Sequence, residues 1–210
     1  MDLQAALVDR RLLAIVRGGD ADAALRTVLA LAEEGVDLIE VSLSGQDAIT
    51  VIERARHALG PDALLGAGTV LSADDARTAH RAGAAFVVTP GLGDGVRAAR
   101  DLGLPVLAGV LTPTDVIAAR TLGAEALKLF PAAPFGGAGY LKALRGPFPD
   151  APFVPVGGIH AAAARACLTA GAIAVGVGSP LVGDAADGGS LAALRDRARA
   201  YRVIAEESRR

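Results

Sequence analysis

Short apolar runs alternate with alanine-rich amphipathic segments eight times along the chain. The runs contain few polar positions, as expected for strands that are covered on both faces. Because a helical segment separates each run from the next, the pattern predicts repeated β/α units and a parallel sheet. The predicted strands are Leu12–Val16, Leu38–Val41, Leu64–Ala67, Phe86–Thr89, Val106–Ala108, Ala126–Phe130, Phe153–Val156 and Ile173–Val177.

Helix starts are marked by capping residues between these strands. Ser72 and Thr112 each supply an N-cap hydroxyl, with acidic residues in the first turn that follows. A short helix over residues 2–11 is predicted to cover one end of the sheet, and Leu191–Glu206 is predicted to close the fold. The helices between strands are predicted to begin near Asp20, Gln46, Ser72, Gly93, Thr112, Gly139, Ile159 and Ser190.

Helix ends carry a repeated glycine. Glycine adopts the left-handed conformation after a helix without a Cβ penalty, so its recurrence at one structural position indicates a repeated unit. Eight such units predict a (β/α)₈ TIM barrel with a single domain over residues 1–210. A doubly wound open sheet is less favoured, because no G-x-G-x-x-G follows the first strand. The repeated glycines are Gly35, Gly83, Gly103, Gly123 and Gly171.

Composition narrows the function. The 210 residues carry a net charge of −2, and the only basic run is Arg209-Arg210, so we expect no nucleic-acid partner. No apolar run reaches membrane-spanning length and no signal peptide is recognised, so we expect a soluble cytoplasmic protein. The one cysteine, Cys167, lies in an alanine-rich helical segment and is interpreted as a core residue.

One predicted strand contains a lysine, Lys128, between Leu127 and Leu129. A buried lysine is costly when charged and unpaired. Two explanations stay open: a satisfied ion pair, or an amine kept neutral enough to attack a carbonyl.

Polar residues cluster where predicted strands end, which is where a barrel builds its active site. Glu40 and Lys128 lie on strands two and six, so we expect them to face each other across the barrel. Burial should favour the neutral acid form of Glu40, which is then able to move a proton. The alternative is a Glu40–Lys128 ion pair that only fixes the interior.

Glycine pairs follow strands seven and eight, at Gly157-Gly158 and Gly178-Ser179. Backbone N–H groups at such turns can bind an anion, and a phosphate site is common at this place in barrels.

Other polar residues at strand ends are candidates for substrate contact. Arg17 could bind a carboxylate or phosphate, and Thr69 and Thr89 could hold a carboxylate. His57 and His80 are predicted to be exposed, and His160 to be a helix-start residue. No cluster has metal-ligand spacing, so we expect no metal.

Six motifs in order resemble the class I aldolases for 2-keto-3-deoxy-6-phosphogluconate and its galactonate epimer. The resemblance covers almost the whole chain. It implies a (β/α)₈ barrel, usually trimeric, that needs no cofactor. The motifs are Leu13-Ala14-Ile15-Val16-Arg17-Gly18, Ile39-Glu40-Val41, Gly66-Ala67-Gly68-Thr69-Val70-Leu71, Val88-Thr89-Pro90-Gly91, Ala126-Leu127-Lys128-Leu129-Phe130-Pro131-Ala132 and Pro155-Val156-Gly157-Gly158-Ile159.

The resemblance also assigns roles. It implies that Lys128 is the Schiff-base lysine and Glu40 the general acid/base. It implies a keto-acid end formed by Arg17, Thr69, Thr89 and Pro90, and a phosphate end formed by Gly157, Gly158, Gly178 and Ser179.

The choice of substrate stays open. Gluconate enzymes usually have arginine at the position of Ser44 and threonine at that of Val156, so the chain looks closer to galactonate enzymes. Those usually read Pro-Leu-Asn where this chain has Ser42-Leu43-Ser44, however. The alternatives are a 4-hydroxy-2-oxoglutarate aldolase, a phosphosugar isomerase or epimerase, and a sugar-phosphate-binding barrel without turnover.

Overall fold

The structure is a computed structural model that describes residues 2–209. Within these residues the chain forms eight strands, each followed by helical structure. The strands are β1 Leu12–Val16, β2 Leu38–Ser42, β3 Leu64–Gly68, β4 Val87–Val88, β5 Val106–Val110, β6 Ala126–Leu129, β7 Phe153–Pro155 and β8 Val175–Val177.

The described residues also form ten α-helices, with 3₁₀ turns at Ala133–Phe135 and Ala185–Asp187. None of these helices is long and apolar enough to cross a lipid bilayer. The helices are α1 Leu3–Arg10, α2 Ala21–Glu33, α3 Ala48–Leu59, α4 Ala73–Arg81, α5 Asp94–Asp101, α6 Pro113–Thr121, α7 Gly137–Arg145, α8 Ala161–Thr169, α9 Ser179–Val182 and α10 Leu191–Glu207.

The strands form one parallel sheet in the order β7-β6-β5-β4-β3-β2-β1-β8. The two ends of this sheet meet, because Val156 forms a parallel bridge with Gly176 and the Ile173 N–H donates to the Phe153 carbonyl at 3.0 Å. The predicted (β/α)₈ TIM barrel is therefore confirmed.

The repeated glycines have the predicted conformation. Gly35, Gly83, Gly103, Gly123 and Gly171 all have φ between +73° and +94°, directly after α2, α4, α5, α6 and α8. A side chain would strain the backbone there, which explains why each unit ends in glycine.

Two predicted helix starts are confirmed in detail. The Ser72 hydroxyl accepts from the Asp75 N–H, and the Asp75 carboxylate accepts from the Ser72 N–H in return. Thr112 and Asp115 form the same capping box at α6. Each box satisfies N–H groups that the first helical turn leaves unbonded.

Two apolar layers stabilise the barrel. One lies between the strands and the helices, and the other fills the barrel below its carboxyl end. Leu3 and Leu7 of α1 belong to the inner layer and are almost fully buried against Leu13, Leu38 and Phe86. This confirms that the first helix covers the bottom of the barrel.

Several predicted boundaries were wrong by a few residues. β2 continues past Glu40 to Ser42 because Ser42 pairs with Gly68 of β3. β4 and β8 are shorter than predicted, and β6 and β7 each end one residue early. α7 begins at Gly137 rather than Gly139, α8 begins at Ala161 and α10 extends to Glu207; α9 was not predicted as a separate helix.

Candidate active site

An open cavity of about 450 Å³ lies at the carboxyl ends of the strands. Its wall is formed by residues at the ends of β1 to β4 and β6 to β8. Nine of the ten residues predicted for the site line it: Arg17, Glu40, Thr69, Pro90, Lys128, Gly157, Gly158, Gly178 and Ser179.

Lys128 lies in β6 and is only 6% exposed. Its Nζ lies 5.2 Å from the centroid of the Phe130 ring, within the range of a cation–π contact. The ion pairs within residues 2–209 all involve arginine, so Lys128 has no carboxylate partner among these residues. The explanation of Lys128 as a structural ion pair is therefore not supported.

Glu40 lies in the middle of β2 and is 1% exposed. Burial raises the pKa of its carboxyl, while the charges of Lys128 and Arg17 oppose this with smaller effects on the pKa. The predicted shift toward the neutral acid is confirmed in direction. Its Oε2 has no hydrogen-bond partner among the described residues. A buried carboxyl oxygen without a partner is costly, so this atom is suited to bond a substrate or water.

Arg17 follows β1 and is the exposed cation of the cavity wall. Its charge acts on Glu40. The guanidinium can therefore attract an anionic group of a ligand and also favour the ionised form of Glu40.

Three hydroxyl groups form a hydrogen-bonded row on one side of the cavity. Ser42 Oγ lies 2.9 Å from Ser44 Oγ and 2.8 Å from Thr69 Oγ1. Thr69 has φ of +59°, an uncommon value for a residue with a side chain. Two hydrogen bonds use two of the three hydroxyl hydrogens, so the row of Ser42, Ser44 and Thr69 keeps one hydrogen to donate to a ligand.

Thr89 is the predicted site residue that does not line the cavity. It is buried, and its hydroxyl accepts from the Gly109 N–H of β5 at 3.2 Å. Its neighbour Pro90 lines the cavity instead, because adjacent residues of extended chain point to opposite faces. The structure therefore places Thr89 behind the wall, where it joins β4 to β5.

The glycine-rich loops form the opposite side of the cavity. Gly157 and Gly158 have φ of +97° and +74°, and no acceptor for their N–H groups is found among residues 2–209. Gly178 precedes α9, which begins at the exposed Ser179. Unbonded N–H groups beside a cavity are suited to an anion.

The remaining candidates lie outside this chemistry. His160 caps α8 by accepting from the Ala163 N–H at 3.4 Å, and His57 and His80 are exposed, all as predicted. Cys167 is buried in α8, and burial raises the pKa of its thiol. In the described part of the chain, no group of three or more His, Cys, Asp or Glu residues could hold a metal ion.

A family model described as "KDPG and KHG aldolase" matches residues 3–193. The chain belongs to this family. It is therefore an enzyme, a carbon–carbon lyase of the class I aldolase type.

Curated relatives are named for both sugar epimers. The aldolase is 42% identical to the 2-dehydro-3-deoxy-phosphogluconate aldolase of Pseudomonas aeruginosa, over 62% of this chain and 59% of that protein. It is 36% identical to the 2-dehydro-3-deoxy-6-phosphogalactonate aldolase of Escherichia coli K12, over 81% of this chain and 83% of that one. These names alone do not decide between the epimers.

Solved structures of similar aldolases have the same fold. The 4-hydroxy-2-oxoglutarate/2-dehydro-3-deoxyphosphogluconate aldolase from TTHB1 is 40% identical with a TM-score of 0.83, over 97% of this chain and 98% of that one. The KDPG aldolase of Legionella pneumophila, solved with pyruvate as a covalent carbinolamine, is 28% identical with a TM-score of 0.86, over 94% and 96%.

The cavity of this aldolase also contains residues that the sequence did not single out. Ser42 lies two positions after Glu40, and Phe130 lies two positions after Lys128. Side chains two apart on a strand share a face, so extending each strand pattern by one step would have placed both in the cavity. Ser44 was noted as a family difference, and its bond to Ser42 required the structure.

Proposed function

We propose that this aldolase reversibly cleaves 2-keto-3-deoxy-6-phosphogalactonate, or its gluconate epimer, to pyruvate and glyceraldehyde 3-phosphate. One observation carries the proposal. A buried lysine and a buried carboxyl, Lys128 and Glu40, lie on strands four apart around one cavity, and glycine-rich loops form its far side.

The reaction begins at Lys128. Its Nζ attacks the C2 ketone, water leaves, and an iminium forms. Glu40, directly or through a water, removes the proton of the C4 hydroxyl. The C3–C4 bond then breaks, and its electron pair moves into the iminium to give an enamine. Glyceraldehyde 3-phosphate leaves with the new aldehyde at the former C4.

The second half regenerates the enzyme. Glu40 now returns its proton to C3 of the enamine, and water hydrolyses the resulting iminium to pyruvate and free Lys128. The raised pKa of Glu40 supports this exchange, because a carboxyl that is easily protonated can serve as both base and acid.

Substrate orientation follows from the charges and donors around the cavity. We assign the keto-acid end to Arg17, Thr69 and Pro90, with Thr89 supporting Pro90 from behind the wall. The phosphate end is assigned to the N–H groups of Gly157 and Gly158, together with Gly178 and Ser179. The resemblance of the motifs supports this direction, and the unbonded glycine N–H groups are consistent with it.

The galactonate epimer is the preferred substrate in this proposal. Val156 and Ser44, both in the cavity wall, depart from the pattern of gluconate enzymes. The test is to compare kcat/KM for the two phosphorylated epimers by pyruvate release. A preference for the gluconate epimer would contradict this assignment.

A second candidate substrate is unphosphorylated 4-hydroxy-2-oxoglutarate, which appears in the name of the TTHB1 aldolase. It would use Lys128 and Glu40 but would gain little from the glycine-rich end. Measuring kcat/KM with and without phosphate separates the two candidates. Equal values would favour 4-hydroxy-2-oxoglutarate. The comparisons with named aldolases leave an isomerase or a barrel without turnover unsupported.

We also propose that the aldolase is a homotrimer, as the family resemblance implies. Leu71, Ile117 and Phe135 are each more than half exposed, and apolar side chains of this size are suited to a subunit contact. Light scattering after size exclusion should give three times the 21.0 kDa of one chain. A mass of one chain would contradict the trimer.

We propose a cytoplasmic location as well. The proposed substrate and one product are phosphorylated, and such anions do not cross lipid bilayers unaided. Cell fractionation of the producing organism tests this.

A further inference from the structure

Two glycines of β3 face the interior of the barrel, and a neighbouring side chain occupies the place where each Cβ would be. A Cβ on Gly66 would lie 2.4 Å from Cε2 of Phe86. A Cβ on Gly68 would lie 1.7 Å from Oε1, 2.3 Å from Cδ and 2.5 Å from Cγ of Glu40. Real Cβ atoms do not approach other heavy atoms this closely, so Glu40 can adopt its position only because residue 68 is glycine.

This contact decides where the carboxyl of Glu40 lies. Glu40 pairs with Gly66 in the sheet, and its side chain leans along the strand direction onto Gly68. There the carboxyl rests against the backbone of β3, is almost fully buried, and keeps Oε2 unbonded. The adjoining cavity would offer the side chain other positions.

The backbone around Gly68 is held firmly. The Leu43 N–H donates to the Gly68 carbonyl at 2.8 Å, and Ser42 is the register partner of Gly68. The next residue, Thr69, is bonded to Ser42 through its hydroxyl. An added methyl group would therefore displace Glu40 toward the cavity rather than move β3.

We propose that Gly68 is a positioning residue for the aldolase reaction: the missing Cβ forms a slot that holds the Glu40 carboxyl beside the cavity with one oxygen free for the substrate. The inference rests on the proposed function, in which Glu40 moves the proton of the C4 hydroxyl.

The first test is Gly68→Ala. Displacing an acid/base group should lower kcat by about 100-fold. Borohydride trapping of pyruvate on Lys128 should persist, because the amine is not disturbed. The matched control is Gly139→Ala in α7, where a Cβ would meet no atom within 4 Å and kcat should not change. A wild-type kcat in Gly68→Ala would overturn the inference.

The second test separates positioning from general damage. In the Glu40→Gln background, where no acid/base carboxyl remains, Gly68→Ala should cause no further loss of kcat. A merely structural role would lower kcat by the same factor in both backgrounds, and that result would overturn the inference.

Folding provides an independent readout. If Gly68→Ala does not fold, combining it with Glu40→Ala should restore folding, because the group that the new methyl meets is gone. Failure of both variants to fold would overturn the inference. Failure of the proposed function looks different, since wild-type enzyme would then release no pyruvate from either phosphorylated epimer.

Discussion

Glu40 and Lys128 occupy the same barrel interior without pairing, and this sets the chemistry of single residues. Burial dominates the environment of Glu40 and raises the pKa of its carboxyl despite two nearby cations. The carboxyl oxygen that lacks a partner is the atom left for a substrate proton. The pair is therefore arranged for reaction at the expense of some stability.

The raised pKa of Glu40 predicts a pH-dependent stability difference between wild type and Glu40→Gln. The folded protein binds the Glu40 proton more tightly than the unfolded chain does. This contribution is complete below the ordinary pKa of glutamate and is lost as pH rises through the raised pKa. Wild type should therefore lose free energy of unfolding relative to Glu40→Gln across that window. Urea unfolding of both proteins at several pH values measures it; a constant difference would contradict the burial argument.

The hydroxyl row predicts an effect on substrate binding. Ser42→Ala removes both bonds of the row and leaves Thr69 Oγ1 without its partner. We expect KM to rise by about tenfold, the size of one hydrogen bond to a charged group. Kinetics on the phosphorylated substrate measure this, with Thr121→Ala on the exposed face of α6 as the control. An unchanged KM would remove the row from substrate binding.

At the scale of elements, strand alternation positions the site. Glu40 and Ser42 of β2 point inward, as do Lys128 and then Phe130 at the end of β6. The same rule separates Thr89 from Pro90 after β4. β4 is two residues long, so the sequence offered too short an alternating pattern to show which of the two would face the cavity.

The helix starts predict an acid-sensitive contribution to stability. Burial opposes the shift, but hydrogen bonds from the backbone and side chain of Ser72 and from the Leu71 N–H give Asp75 a lowered pKa overall. Its stabilising effect is therefore present above the ordinary pKa of aspartate and is lost as pH falls through the lowered value.

Asp75→Asn should remove this dependence and lower stability by about 1 kcal/mol at neutral pH. Thermal unfolding of the variant and wild type from neutral to acidic pH measures it. The control is Asp74→Asn, an exposed acid in the same turn. Equal loss of stability in both variants would contradict a specific role for the capping box.

The whole molecule divides its labour between the two ends of the barrel. α1 closes the bottom with Leu3 and Leu7, while the carboxyl end stays open over Lys128 and Glu40. The cavity is thus a pocket with one entrance, in which the reacting groups lie at the top of a packed interior.

The architecture was predictable because its signals are local. The glycine after each of five helices and the apolar runs between them required no knowledge of distant contacts. Nine site residues followed from the barrel topology, which brings strand ends together. The hydroxyl row and the slot at Gly68 were not predictable, because both depend on the register that pairs Ser42 with Gly68.

The most direct test of the aldolase mechanism is to trap its first intermediate. The chain has two lysines, Lys128 and Lys142, so the modified residue is readily identified. Incubation with pyruvate followed by borohydride should give one reduced adduct per chain by intact mass, mapped to Lys128. The adduct should persist in Lys142→Arg and disappear in Lys128→Arg. No adduct on folded protein, or an adduct on Lys142, would contradict the assignment of Lys128.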